Sequence, residues 1–216
     1  MRQTRGVFLM RVALPDRPGS LGAVASALGT VRADIAAVEI VEKHEGFAVD
    51  DFMLHLPNGV LPDSLVAACT AIEGVDVVWL SYYPENWGLQ ADVDVLNEMA
   101  EHPAAAETIL TDAAPEVFHA TWALLVDRDT GRLAHKTPLA PDLLPEQAHL
   151  FGALDAAHAD DLVAGWLPDW GATIVAVAPC RAPSTHTIVL GRAGGPAFLK
   201  SEIARLRHLA ALAEQR

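Results

Sequence analysis

The first 83 residues alternate between short apolar runs and stretches with helical spacing. Runs typical of strands occur at 7–14, 34–41, 47–56 and 75–82. Apolar residues at the spacing of one helical face follow the first run from Leu21, and a second such face follows the turn at 58–64. The pattern predicts the order βαββαβ. This is a split βαβ, ferredoxin-like arrangement, with helices on one face of an antiparallel sheet.

The segment YPENWG at 83–88 interrupts this periodicity. We therefore predict a first domain over residues 1–84 and a second over 85–216. The second begins with helical spacing and closes with a helix over 198–214. Between them the pattern predicts a helical stretch over 145–163 and four strands, at 120–126, 133–136, 172–178 and 186–191. The second domain is therefore also predicted to be α+β, with helices flanking an antiparallel sheet.

The turn between the first strand and the first helix has unusual chemistry. It lies in the stretch LPDRPGSLGAVASALG at 14–29. Pro18 fixes φ, and Gly19 lets the backbone approach a ligand closely. The N–H groups of Gly19, Ser20 and Leu21 fall in the first helical turn. There they lack intrahelical acceptors and, with the helix dipole, suit a carboxylate. Asp16 either meets an ammonium group or caps the helix.

The motif DRPGSLGAVASAL, placed at this junction of a βαββαβ unit over residues 7–83, resembles the ACT domain. ACT domains bind amino acids or similar small effectors and commonly form dimers. Their ligand usually lies at the interface, between the turn after the first strand and the start of the second. The resemblance implies a site made of Asp16, Arg17, Pro18, Gly19, Ser20 and Leu21 with Asp34, Ile35 and Ala36 of the same or a partner subunit. Many ACT domains bind nothing, so a scaffolding role stays open.

The end of the chain resembles a GAF domain, over about residues 90–216. The segment HTIVLGRAGGPAFLKSEIARLRHLAALAEQ gives a strand, a glycine-rich turn and a long Leu/Ala helix. GAF domains are ligand-binding or dimerising sensor modules. The signature residues of the cyclic-nucleotide-binding members are not matched, so the resemblance implies no such ligand.

The charge composition of the chain argues against two classes of binding partner, nucleic acid and anionic membranes. The net charge is −13, from 15 Lys and Arg against 28 Asp and Glu, which argues against nucleic acid. Without a polybasic stretch, an anionic membrane surface is not expected either. No apolar run is long enough to span a membrane, and Arg11 interrupts the apolar start, which favours a strand over a signal peptide. We expect a cytoplasmic protein in which Cys69 and Cys180 are buried thiols.

Motifs for catalysis or metal binding are not found in the sequence. The nine histidines are scattered, and His158–Asp161 is predicted to be a solvated helix face. The Gly191–Gly195 segment lacks the Lys-Ser/Thr pair of a phosphate loop and is predicted to be an ordinary turn. Trp166 and Trp170 either line a pocket or pack. No catalytic residue, metal or cofactor is expected.

The sequence favours an amino-acid-binding regulatory or sensor protein. An exposed second strand would pair with its counterpart in a second copy, so we expect a homodimer. Two alternatives stay open. One is a small-metabolite enzyme with its site in the second half. The other is a non-binding dimerisation module that serves an unidentified protein partner.

Overall fold

The chain folds into two compact α+β units, Met1–Glu85 and Asn86–Arg216. A computed structural model describes residues 7–83 and 89–213. The predicted boundary segment after Tyr83 lies outside these residues, as does Glu214 at the end of the last predicted helix. No helix in the described part of the chain is long and apolar enough to cross a membrane.

The first unit has the predicted order βαββαβ. Its strands pair only antiparallel, in the order β2-β3-β1-β4, so β2 and β4 are the two edges of the sheet. The hydrophobic periods of two in strands and 3.6 in helices locate each element to within about two residues. The elements are β1 (Val7–Pro15), α1 (Ser20–Thr30), β2 (Asp34–Lys43), β3 (Phe47–His55), α2 (Asp63–Thr70) and β4 (Asp76–Tyr83).

One face of this sheet forms the core with the two helices. Alternate residues of β1 and β3 point to this face, because side chains alternate along a strand. They pack against the buried residues of α1 and α2. The core residues include Phe8, Met10, Val12, Phe52 and Leu54 from the strands and Val24, Leu28, Leu65 and Cys69 from the helices.

The opposite face of β1 and β3 carries a buried ion pair. Arg11 and Asp51 are direct cross-strand partners and are 2% and 3% exposed. Arg11 Nε donates to Asp51 Oδ1 and Arg11 Nη2 donates to Asp51 Oδ2, each at 2.8 Å. This is the bidentate geometry that gives the strongest hydrogen bonds between these groups.

The second unit has a five-stranded antiparallel sheet in the order β6-β5-β9-β8-β7. Two 3-10 helices, Pro103–Ala105 and Pro145–Phe151, accompany its regular elements. These are α3 (Leu89–Glu101), α4 (Ala106–Val117), β5 (Trp122–Asp127), β6 (Leu133–Lys136), β7 (His158–Leu162), β8 (Thr173–Pro179), β9 (His186–Ala193) and α5 (Lys200–Leu212).

The predicted helical stretch over 145–163 is a 3-10 helix as far as Phe151 and is wrong beyond it. After the 3-10 helix, the chain turns at Gly152, whose φ is +74°, and His158–Leu162 becomes strand β7. All five residues of β7 pair with β8. His158–Asp161 therefore lies on an edge strand and not on a helix face. Sheet pairing with a distant strand overrides the local pattern, which an Ala-rich stretch leaves poorly defined.

Both faces of the second sheet are buried. The β5 residues Ala123 and Leu125 contribute to one apolar cluster with α3, α4 and α5. The alternate residue Trp122 contributes to a second cluster with the 3-10 helix 145–151. Gly191, predicted to begin a turn, lies in β9 beneath the Trp122 ring. A Cβ at Gly191 would stand 1.9 Å from Trp122 Cε2, so only glycine fits.

Candidate functional site

The turn after β1 is open and is held by the backbone. The N–H of Asp16 donates to the carbonyl oxygen of Gly46 (3.1 Å), and that of Arg17 to Pro15 (2.9 Å). Gly19 is the N-cap of α1 with φ +94°, a conformation that L side chains rarely adopt. A Cβ at Gly19 would have no atom within 4 Å. The glycine is therefore required by the backbone, and the space above it is free.

Three backbone N–H groups at this turn are available to a ligand. Those of Gly19, Leu21 and Gly22 have no acceptor among the residues that the structure describes. The N–H of Ser20, predicted to be free as well, donates to the Arg17 carbonyl oxygen at 3.2 Å. The predicted set is thus corrected at Ser20 and extended by Gly22. Free N–H groups at the positive end of a helix dipole form a favourable environment for an anion.

Asp16 forms an ion pair and does not cap the helix. Lys43 Nζ lies 3.0 Å from Asp16 Oδ1, and no side chain caps the N-terminus of α1. The capping alternative for Asp16 is therefore wrong. Both side chains of the pair are substantially exposed, and such pairs contribute about 0–1 kcal/mol to stability. A ligand ammonium group can replace Lys43 at little cost.

Asp50 is a residue near this turn that the sequence analysis did not include in the predicted site. It is 2% exposed, and its Oδ1 is buried without a hydrogen-bond partner among the described residues. Burial raises the pKa of its carboxyl group, Lys43 lowers it, and the charges of Asp51 and Asp16 raise it. The sequence contains a signal for Asp50. Because side chains alternate along a strand, Asp50 lies on the same face of β3 as Phe52 and Leu54, which face the helices, and a carboxyl group is unusual on such a face.

The second predicted set does not join the first within one chain. Asp34, Ile35 and Ala36 begin β2, whereas Lys43, which contacts Asp16, ends it. A strand of this length spans about 30 Å at about 3.3 Å per residue. In the turn, Ser20 is half-buried and the other predicted residues are exposed: Asp16, Arg17, Pro18, Gly19 and Leu21. On β2, Asp34 and Ala36 are exposed, and Ile35 packs against the core.

The cysteines and tryptophans considered in the sequence analysis are packed side chains. Cys69 and Cys180 are both buried, and burial raises the pKa of the Cys69 thiol to about 11 and that of Cys180 further. Neither is a thiolate nucleophile at neutral pH. Trp166 and Trp170 pack around Trp122, with ring centroids 6.2–6.3 Å from it. Within residues 7–83 and 89–213, no group of three or more His, Cys, Asp or Glu is placed to hold a metal ion.

Comparisons with known proteins reveal only weak likenesses. No protein-family model matches the chain, and no curated protein matches it. A formyltetrahydrofolate deformylase from Pseudomonas putida KT2440 is 13% identical over 44% of this chain and 38% of its own length, with a TM-score of 0.30. An unknown protein from Galdieria sulphuraria is 11% identical over 96% of this chain and 91% of its own, with a TM-score of 0.33. Similarities with TM-scores and identities this low do not indicate a fold family or a function.

Proposed function

We propose that the protein is an amino-acid-binding regulatory protein, with an ACT domain as its first unit and a GAF-like domain as its second. The observation that carries the proposal is the open turn Asp16–Leu21. It presents backbone N–H groups that have no acceptor in the described part of the chain, and carboxyl groups lie close by. The βαββαβ order of the first unit and the α+β architecture of the second are compatible with these assignments.

The turn offers complementary groups for the two charges of an amino acid. The ligand carboxylate accepts hydrogen bonds from the N–H groups of Gly19, Leu21 and Gly22, at the positive end of α1. The ligand ammonium group displaces Lys43 from Asp16. The buried carboxyl of Asp50 interacts electrostatically with both Lys43 and Asp16, so it adds negative potential at the same place.

We further propose that the site is completed in a homodimer. The edge strand β2 exposes the apolar side chains of Val38 and Ile40, which are 38% and 52% exposed. Edge strands of this kind are templates for pairing with another chain. In a two-fold antiparallel pairing of β2 with β2, Asp34 of the partner subunit approaches the Lys43 end of the strand. Ligand binding there would bias subunit pairing and so report the supply of the amino acid.

Thermal unfolding against each of the twenty amino acids, followed by far-UV circular dichroism, tests the proposal. A ligand at 100 times its Kd stabilises the native state by about 2.7 kcal/mol. Asp16→Asn should abolish the shift. Lys43→Gln is the matched control, because it breaks the same ion pair but leaves the Asp16 carboxylate for the ligand. Its shift should be kept or increased.

Two results would contradict the proposal. If no amino acid raises the unfolding temperature, the turn is an ordinary helix start and the first unit is a scaffold. If Asp16→Asn and Lys43→Gln reduce a shift equally, Asp16 acts only through its ion pair and does not bind the ligand.

A further inference from the structure

A cavity with several polar lining residues lies at the other end of β2 from the turn. Its volume is about 360 Å³, near the lower limit of typical small-molecule sites. It is formed where α1 ends, β2 begins and β3 ends, entirely within the first unit. The residues that line it are Arg32, Asp34, His55, Leu56, Pro57 and Asn58.

Two opposite charges line this cavity without neutralising each other. Arg32 and Asp34 are both exposed, and neither has an ion-pair or hydrogen-bond partner for its side chain among the residues that the structure describes. A guanidinium group binds a carboxylate through two parallel hydrogen bonds, and a carboxylate accepts from an ammonium group. The pair therefore provides complementary partners for both ends of a zwitterion.

The backbone conformation at Arg32 indicates a functional role for its side chain. Arg32 has φ +62°, the left-handed conformation that glycine adopts most easily. Its N–H donates to the Gly29 carbonyl oxygen (3.0 Å), and the N–H of Ala33 donates to that of Leu28 (3.1 Å). These bonds form the Schellman motif that ends α1, where glycine is the usual residue at the Arg32 position. Arginine here costs stability, yet it adds a guanidinium group to the cavity.

His55 adds a third polar group. It is the direct cross-strand partner of Asp34, and its Nδ1 is buried with no hydrogen-bond partner in the described part of the chain. The ring lines the cavity, and a ring N–H of histidine can donate to a ligand carboxylate.

We infer that this cavity binds a small zwitterion of the α-amino-acid class within a single chain. The ligand carboxylate pairs with Arg32 and accepts from His55, and the ligand ammonium group pairs with Asp34. The inference does not rest on the turn site, because Arg32 and His55 have no part in it. The two sites are separated by the length of β2.

Isothermal titration calorimetry of the full chain at low salt, with each of the twenty amino acids, tests this inference. For any amino acid that binds, the same side chain is offered as the carboxylic acid without the amine and as the amine without the acid. Arg32→Gly is the informative variant, since it removes the guanidinium and suits the left-handed backbone. Arg132→Gly, which removes an exposed guanidinium from the second unit, is the matched control.

The expected result is that Arg32→Gly and Asp34→Asn each weaken binding by at least about tenfold. The unfolding temperature of Arg32→Gly should be equal to or above that of the parent, which excludes misfolding. Neither half-molecule should bind as tightly as the amino acid, and Arg132→Gly should bind like the parent.

The inference is overturned if no amino acid binds, if Arg32→Gly binds as tightly as the parent, or if one half-molecule suffices. Arg32→Gly and Asp16→Asn separate this site from the turn. Loss of binding only in Asp16→Asn overturns the cavity and supports the turn. Loss only in Arg32→Gly supports the cavity and counts against the turn. Asp34 alone does not discriminate, because the proposed dimer also uses it.

Discussion

At the scale of the residue, the first unit departs from maximal stability at a few positions. Gly19 and Arg32 both have positive φ, but only the first is glycine. Asp50 is a buried carboxyl group whose Oδ1 has no hydrogen-bond partner among the described residues. Departures of this kind cost stability and cluster at functional sites. Here Arg32 lies just before β2, beside the cavity, and Asp50 lies on β3 opposite Ile40, where it interacts electrostatically with Lys43 and Asp16.

The raised pKa of Asp50 predicts a pH-dependent effect of Asp50→Asn. Between the unfolded value of 3.8 and the higher folded value, the folded state binds more protons than the unfolded state. The stability of the parent therefore falls as the pH rises through this window and stays lower above it. Asp50→Asn removes this loss. The variant should be more stable than the parent at pH 7, and the difference should shrink below pH 3.8.

Urea denaturation at several pH values measures this difference. A variant that is less stable than the parent at pH 7 would contradict the prediction. It would mean that the ionised Asp50 carboxylate makes a favourable contact that outweighs its desolvation.

At the scale of the element, β1 and β3 are joined by the buried pair of Arg11 and Asp51. Breaking such a pair leaves one buried charge without its counter-charge, which costs about 3–5 kcal/mol. We therefore expect Arg11→Met to lower the free energy of unfolding by about this amount. The double variant Arg11→Met/Asp51→Leu removes both charges and should recover most of the loss, as measured by urea denaturation. A double variant no more stable than the single one would contradict this explanation.

The edges of the first sheet provide a test of the proposed dimer. Ile40 on β2 and Val78 on β4 are similarly exposed, at 52% and 48%. A charge on an edge strand opposes pairing with another chain. We expect Ile40→Lys to convert the dimer to monomer and Val78→Lys to leave the dimer intact, as measured by sedimentation velocity. The opposite pattern would place the interface on β4, and a parent that is monomeric would exclude the dimer.

At the scale of the whole molecule, local patterns predict most of the elements but few of the contacts between them. The βαββαβ order follows from hydrophobic periods that residues within one element determine. Strand β7 escapes prediction because it is defined by pairing with β8, whose residues lie further along the chain. The ion pair of Asp16 and Lys43 joins residues 27 positions apart, and no local pattern indicates it.

The same reason limits prediction of the candidate sites. The motif around Gly19 identifies the turn, because its backbone chemistry is local. The cavity lined by Arg32 and His55 arises from the register of β2 against β3, which places Asp34 opposite His55. Register depends on tertiary pairing. The sequence therefore identifies Asp34 as a candidate but does not show that Arg32 and His55 line the same cavity.

The aromatic cluster of the second unit has a spectroscopic consequence. Trp122, Trp166 and Trp170 are mutual neighbours there, whereas Trp79 is the one tryptophan in the described part of the first unit. Indole emission will therefore be dominated by the second unit. Rings with centroids 5.8–6.3 Å apart should also show exciton coupling in the near-ultraviolet. A dye-free fluorescence melt will thus report chiefly on the unit without either proposed site, and a genuine effector can pass unnoticed in such a screen.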